Sequence, residues 1–185
     1  MPVPALDTTI GGAAANSYVT LEEAENYFDA HLKTAAWTDA TSDDKTRALL
    51  MAANRLQVEN WLGARATTTQ RLAWPRIGVA KRDSADYSYS QWGYGGGYGY
   101  GFPYSGYGEP YLPTEIPQQV KDAQCEFAFA YLSGTYNDSG EAEVKSFADD
   151  KMRVEFDQPK LAGRLPAEVT RLIAGLTAQN RRVRG

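Results

Sequence analysis

With 185 residues, 43% of them hydrophobic and 23% charged, the chain can bury one substantial core and has none of the composition of a disordered polymer. Nineteen Lys and Arg against 23 Asp and Glu give a net charge of −4, which excludes a protein that coats nucleic acid through a broad basic surface. A single cysteine, Cys125, and a single histidine, His31, exclude an internal disulfide, a multi-cysteine zinc site and most His-based triads and metal clusters.

The start MPVPALDTTI has neither the basic residues nor the apolar run of a signal peptide, and no stretch approaches the roughly 20 apolar residues of a membrane span. The expectation is a protein made in a cytoplasm, and kept there or assembled from there, with no membrane contact. Thr20-Leu21-Glu22-Glu23 has the spacing of a capping box and predicts a helix from Leu21 to about Ala36, with Leu21, Ala24, Phe28, Leu32 and Ala35 inside. Thr41-Ser42-Asp43-Asp44 opens a second helix with Leu49, Ala53, Leu56 and Asn60 as its stripe, widened by Leu50 and Trp61, and Gly63 as its stop. Two such helices joined by about five residues predict an antiparallel helical hairpin.

From Ala64 to Thr114 neither helical nor alternating periodicity is sustained. Thr69 to Val79 carries apolar residues and two arginines and is expected to lie against the bundle. Beyond it, residues 87 to 111 read YSYSQWGYGGGYGYGFPYSGYGEPY and hold eight of the twelve tyrosines and eight of the seventeen glycines. Glycine loses more conformational entropy on ordering than any other residue, so this stretch does not fold on its own account. Tyrosine supplies flat, half-polar contact area at low rotamer cost, so residues 84–111 read either as a solvated, partly disordered insertion that needs no partner or as an arm made for contact. The candidate contact residues are Tyr87, Tyr89, Trp92, Tyr94, Tyr98, Tyr100, Tyr104, Tyr107 and Tyr111. Lys and Arg are absent from this stretch, so protein is a better partner for these rings than nucleic acid.

Ile116-Pro117 begins a third helix with Val120, Ala123, Phe127, Ala130 and Tyr131 inside and Gly134 as its stop. Val144 to Phe147 and Met152 to Phe156 alternate around Asp149-Asp150 as a short β-hairpin does; alone it is marginal, so it packs on helices or on a neighbouring chain. Pro166 opens a last helix with Val169, Leu172, Ile173 and Leu176 inside, followed by the basic end Arg181, Arg182 and Arg184. The fold class expected is mainly α: a small bundle of about four helices with a short β-hairpin and a long Tyr/Gly-rich insertion loop, in one domain over 1–185.

No constellation in the sequence supports catalysis. His31 lacks a nucleophile and an orienting partner, Cys125 reads as a small buried hydrophobe, and Asp43-Asp44 and Asp149-Asp150 read as helix-start and turn chemistry. The GYGGGYG stretch has no strand before it and no helix after it, so it is no phosphate cradle. Catalytic residues, metal sites and cofactors are therefore none. Two readings of Trp74 stand open: a core ring packed on the helices, or, with Arg71 and Arg76, a stacking and phosphate-binding site for single-stranded DNA.

Ala15-Asn16-Ser17-Tyr18-Val19, Leu72-Ala73-Trp74-Pro75-Arg76 and Ile116-Pro117-Gln118-Gln119-Val120-Lys121-Asp122-Ala123, in that order, resemble tailed-bacteriophage head-to-tail connector (adaptor) proteins, a family often labelled DnaT-like single-stranded DNA-binding. The later hairpin and Leu165-Pro166 helix resemble the second half of adaptors that sit beneath a phage portal. The resemblance implies a virion structural protein without enzymatic activity, in a ring usually of twelve identical subunits at the neck. There it would join portal protein to tail or nozzle proteins and let dsDNA pass through the lumen without specific binding. It places portal docking on the C-terminal segment, 177–185 here, with Arg181, Arg182 and Arg184, and it makes 84–111 an addition to the family's plan. The DnaT-like label implies the alternative, a single-stranded DNA-binding replication accessory.

Overall fold

The computed structural model describes residues 3–32, 34–81, 109–136 and 165–178, together with the backbone of two strands at 144–148 and 153–156. Its elements are α1 (Leu21–Asp29), α2 (Ala35–Thr38), α3 (Ser42–Leu56), β1 (Ala64–Arg65), β2 (Arg76–Ile77), α4 (Gln118–Leu132), β3 (Val144–Ala148), β4 (Arg153–Phe156) and α5 (Ala167–Ile173). The protein is thus mostly helical with small antiparallel pairs of strands. Among the described residues, no helix is long and apolar enough to cross a membrane.

The first capping box forms in full: the Glu23 amide donates to the Thr20 hydroxyl and the Thr20 amide to the Glu23 carboxylate. α1 nonetheless stops at Asp29, short of the expected Ala36. The chain turns there, which puts Leu32 at 93% exposure rather than on the inner face, and a separate turn of helix brings Trp37 over Phe28 with ring centroids 4.4 Å apart. α3 starts where the Thr41 cap predicts but ends at Leu56, so Asn60 lies outside the helix and exposed. Gly63 does not end that helix. It sits at φ 68° in the turn into β1, where an added Cβ would lie 2.2 Å from the Ile77 carbonyl oxygen, so both backbone conformation and close approach require glycine.

The expected hairpin of two long helices is replaced by a different arrangement. α4 is the central element, with α3 and α5 packed along it and α1 and α2 leaning on it, as its wide apolar face suggests. Val120, Ala123, Phe127, Ala128 and Ala130 of α4 are buried with Leu49, Ala52 and Leu56 of α3 and Val169 and Ile173 of α5. Each large side chain of this set contributes about 1.5–3 kcal/mol by leaving water. Gly134, at φ 67°, follows α4 as its sequence position predicts.

The later hairpin forms as expected, β3 antiparallel to β4 with Phe147 opposite Val154. Its register slips between Val144 and Ser146, so Val144 still pairs with Phe156. An extra residue in one strand restores phase, placing Val144, Phe147, Val154 and Phe156 at positions of one face.

Candidate interaction surface

One buried polar side chain organises the segment before α1 and its contacts with α3 and α4. Gln124, fully buried on α4, accepts from the Tyr18 amide (2.8 Å) and donates to the Ser17 hydroxyl (2.8 Å) and the Leu49 carbonyl (3.0 Å). It ties the N-terminal segment to α3 and α4, and its strongest polar capacity is satisfied, as burial demands. Tyr18 in turn accepts from the Trp74 amide at 3.3 Å through its hydroxyl. Burial pushes the Tyr18 pKa up to about 12 despite that bond. Periodicity cannot reveal such a residue, because Gln124 occupies an inward position that a hydrophobic count skips.

Trp74 is 1% exposed, between Trp61 and Tyr111, with edge-to-face ring contacts at 5.9 and 5.6 Å. The core reading of this ring is the correct one, and it presents no face to a base. The Trp74-Pro75 peptide is cis. Arg76 is equally committed. Its guanidinium donates to the carbonyls of Leu62 (2.6 Å), Gly63 (2.7 Å) and Ala73 (3.2 Å), tying the turn before β1 to the segment before β2. Burial, and then neighbouring Arg65, lower its pKa.

Around this arginine, short extended stretches lie side by side. Residues 176–178 pair with 60–62 through Leu62 N to Leu176 O (2.9 Å) and Ala178 N to Asn60 O (2.8 Å). β1 pairs with β2, Arg65 opposite Arg76. Lys81 N to Glu109 O (2.8 Å) and Tyr111 N to Val79 O (2.9 Å) then close a stem between 79–81 and 109–111. Two ends far apart in the sequence are thereby held together. Lys81 pairs with Glu115 at 3.0 Å and lies over the Tyr111 ring.

Tyr111 is therefore a correction: assigned by sequence to the contact arm, it is 8% exposed and its ring belongs to the core against Trp74. Tyr87, Tyr89, Trp92, Tyr94, Tyr98, Tyr100, Tyr104 and Tyr107 lie outside the described residues, as do Arg181, Arg182 and Arg184.

Charge pairing separates the cations into two groups. Lys45, Arg47, Arg55, Lys81, Lys121 and Arg171 each reach a carboxylate within 3.0 Å. Among the described side chains, Arg65, Arg71 and Arg76 have no ion pair, and Arg65 and Arg71 are exposed. Arg65 donates to the Gln70 carbonyl at 3.3 Å.

On the other side of the bundle, α1 and α4 border a cleft of about 260 Å³ lined by Val19, Glu23, Asn26, Tyr27, Gln118, Lys121, Asp122 and Cys125. Lys121 bonds Glu23 at 2.7 Å, and Tyr27 donates to Glu126 at 2.8 Å. Burial raises the Cys125 thiol, with Asp122 and Glu126 adding to the rise, so it is an inert buried group as its setting in the sequence suggests. His31 stacks on Tyr27 at 4.2 Å, with Nδ1 2.6 Å from the Tyr27 carbonyl oxygen. Among the described residues no group of three His, Cys, Asp or Glu is placed to hold a metal ion.

Neither curated proteins nor solved structures give a match to this chain. Residues 5–91 match the model of a family described as "Putative DnaT-like ssDNA binding protein", a stretch that runs through the Tyr18 segment, α1, α3 and the Trp74-Pro75-Arg76 turn.

Proposed function

We propose that this protein is a non-enzymatic structural adaptor of a tailed-phage neck, a ring-forming subunit that joins the portal to the tail around the DNA channel. The observation that carries this reading is the closed stem at 79–81 and 109–111. It holds the two ends of the Tyr/Gly stretch together on the bundle, and a body that leaves such a stretch to serve contact suits a subunit whose work is contact. The order of the Tyr18, Trp74-Pro75 and Ile116-Pro117 segments supports it, as does their use inside the core. Tyr-rich side arms and the Arg181, Arg182 and Arg184 end would supply the contacts to tail and portal. The test is an image of the purified virion neck together with the mass of a portal–protein mixture. A symmetric ring beneath the portal is expected, and a chain that stays monomeric beside portal overturns the reading.

A second reading, single-stranded DNA binding, is favoured by the family description for residues 5–91 and by the three arginines without ion pairs. Its original stacking residue is unavailable, since Trp74 is buried. What remains is phosphate contact by Arg65 and Arg71, which gives binding that weakens steeply with salt. Titration of a labelled dT oligonucleotide between 50 and 300 mM salt tests it; no binding at the lower salt removes it.

A further inference from the structure

The cleft between α1 and α4 takes no part in the buried network or the stem, and its lining is uneven in a way that selects a ligand. Its inner part is apolar: Val19 and Cys125 are each 2% exposed, and the half-buried Tyr27 lines it beside them. A volume of about 260 Å³ admits one long side chain. The rest of the lining is polar, and acceptors are left open on it. Lys121 is neutralised by Glu23 at 2.7 Å, and the second Glu23 oxygen takes the Thr20 amide. The Gln118 side-chain nitrogen donates to one Asp122 oxygen at 2.8 Å. The other Asp122 oxygen and the Gln118 side-chain oxygen have no partner among the described residues, where Asp122 also has no ion pair.

Two groups in the lining register the sign of the field. After burial, Asp122, Glu126 and Glu23 raise the Cys125 thiol, and Lys121 opposes them with a smaller effect. After burial, Glu126 and then Asp122 raise the Tyr27 hydroxyl. Glu126 follows Asp122 by one turn of α4, so the two like charges reinforce each other. A carboxylate beside an apolar pocket with no cation opposite it is half of an ion pair.

We propose that this cleft receives the side chain of an arginine carried by a protein partner. The aliphatic stem lies along Val19, Cys125 and Tyr27, and the guanidinium reaches Asp122 and Gln118 at the rim. Arginine suits the site better than lysine because its planar fork of donors can meet two acceptors one helical turn apart at the same time. The carboxylates that favour it repel a phosphate, so a nucleic acid is the wrong partner for this cleft. The site goes beyond the neck reading and does not rest on it.

The test follows amide nitrogen–proton spectra of the full-length protein during titration with acetyl-Gly-Arg-Gly-amide. The matched control carries citrulline, which keeps the shape of arginine without its charge. The arginine peptide is expected to shift Asn26, Gln118 and Cys125 along one saturating curve, with the citrulline peptide weaker by about tenfold. Asp122→Asn, at a partly exposed position of α4, is expected to weaken the arginine peptide by about tenfold. Lys121→Gln is expected to tighten it, because the opposing charge is gone and Glu23 is released. Far-ultraviolet circular dichroism checks that both variants fold, and the arginine–citrulline comparison on wild type decides the matter even if one does not. Equal binding of the two peptides, wild-type affinity in Asp122→Asn, or shifts that scatter over other acidic positions such as Asp43 and Asp44 overturn the proposal. Loss of binding in Lys121→Gln also overturns it and assigns the cleft to an anion.

Discussion

The Gln124–Tyr18–Trp74 centre and the 79–81/109–111 stem lie within one aromatic contact of each other, yet they are held by different physics. In the first, the Gln124 and Tyr18 side chains bond the Ser17 hydroxyl and backbone groups of Tyr18, Leu49 and Trp74, drawing the N-terminal segment, α3, α4 and the turn before β2 together. In the second, backbone pairing between 79–81 and 109–111 brings together two segments far apart in the sequence. The contrast teaches where sequence is constrained by folding and where it is free to serve contact. A buried polar network loses the full desolvation cost of each orphaned group, whereas a paired stem tolerates what hangs from it.

Substitutions can break that comparison. Trp74→Ala should be the most damaging, at about 3–5 kcal/mol, because it empties the space between Trp61 and Tyr111; urea unfolding followed by far-ultraviolet circular dichroism measures it. The same substitution is thus unfit as a probe of DNA binding, since any loss of binding would follow loss of fold. Gln124→Leu keeps the volume but strips the Tyr18 amide of its acceptor, and should lower the urea midpoint by the equivalent of about 2–3 kcal/mol with the slope unchanged.

Tyr18→Phe should cost about 1–2 kcal/mol by orphaning the Trp74 amide. It also carries a pH signature. The folded-state pKa of Tyr18 lies above its ordinary value of 10.0, at about 12, so the unfolded chain releases the proton first as pH rises. Tyr18's contribution is therefore complete below pH 10 and lost between 10 and 12. Stability measured across that interval should fall more in wild type than in Tyr18→Phe; equal slopes would mean that the hydroxyl is not buried as described.

The smallest effect on stability is expected from the largest change. Replacing residues 84–107 by a short turn should shift the unfolding free energy by no more than about 1 kcal/mol, since loop-closure entropy changes slowly with length and the stem is already paired. A collapse of the fold on this deletion would place structural work in the Tyr/Gly stretch and remove the distinction between the two regions. Under the adaptor reading, the deleted protein should fold yet fail to attach tails.

Much of the scaffold was legible in the sequence because local rules write it. Thr20 with Glu23, Thr41, Pro117, Gly134 and Pro166 mark helix ends through hydrogen bonds or backbone freedom that involve near neighbours. The errors fall where distant groups decide. Leu32 follows the helical period, but α1 ends early and turns it into solvent; Gly63 looks like a helix stop, while its conformation is dictated by the Ile77 carbonyl fourteen positions on. Gln124 falls outside the apolar stripe read for the third helix and Arg76 stands beside Trp74 as a phosphate-binding candidate, and only the fold shows that groups from other segments claim them. The candidate surface was less visible still. Its signal is the absence of carboxylates around Arg65 and Arg71, and an absence in space leaves no trace in spacing along a chain.

Tyr111 gives the stem a mechanical role. The chain leaves the stem at residue 81 and re-enters it at 109 side by side, so a load between those residues falls on both strands together rather than shearing one past the other. The load passes instead to the anchors below, the Tyr111 ring on Trp74 and the Lys81–Glu115 ion pair. Tension on this arm is thus delivered to the centre of the bundle.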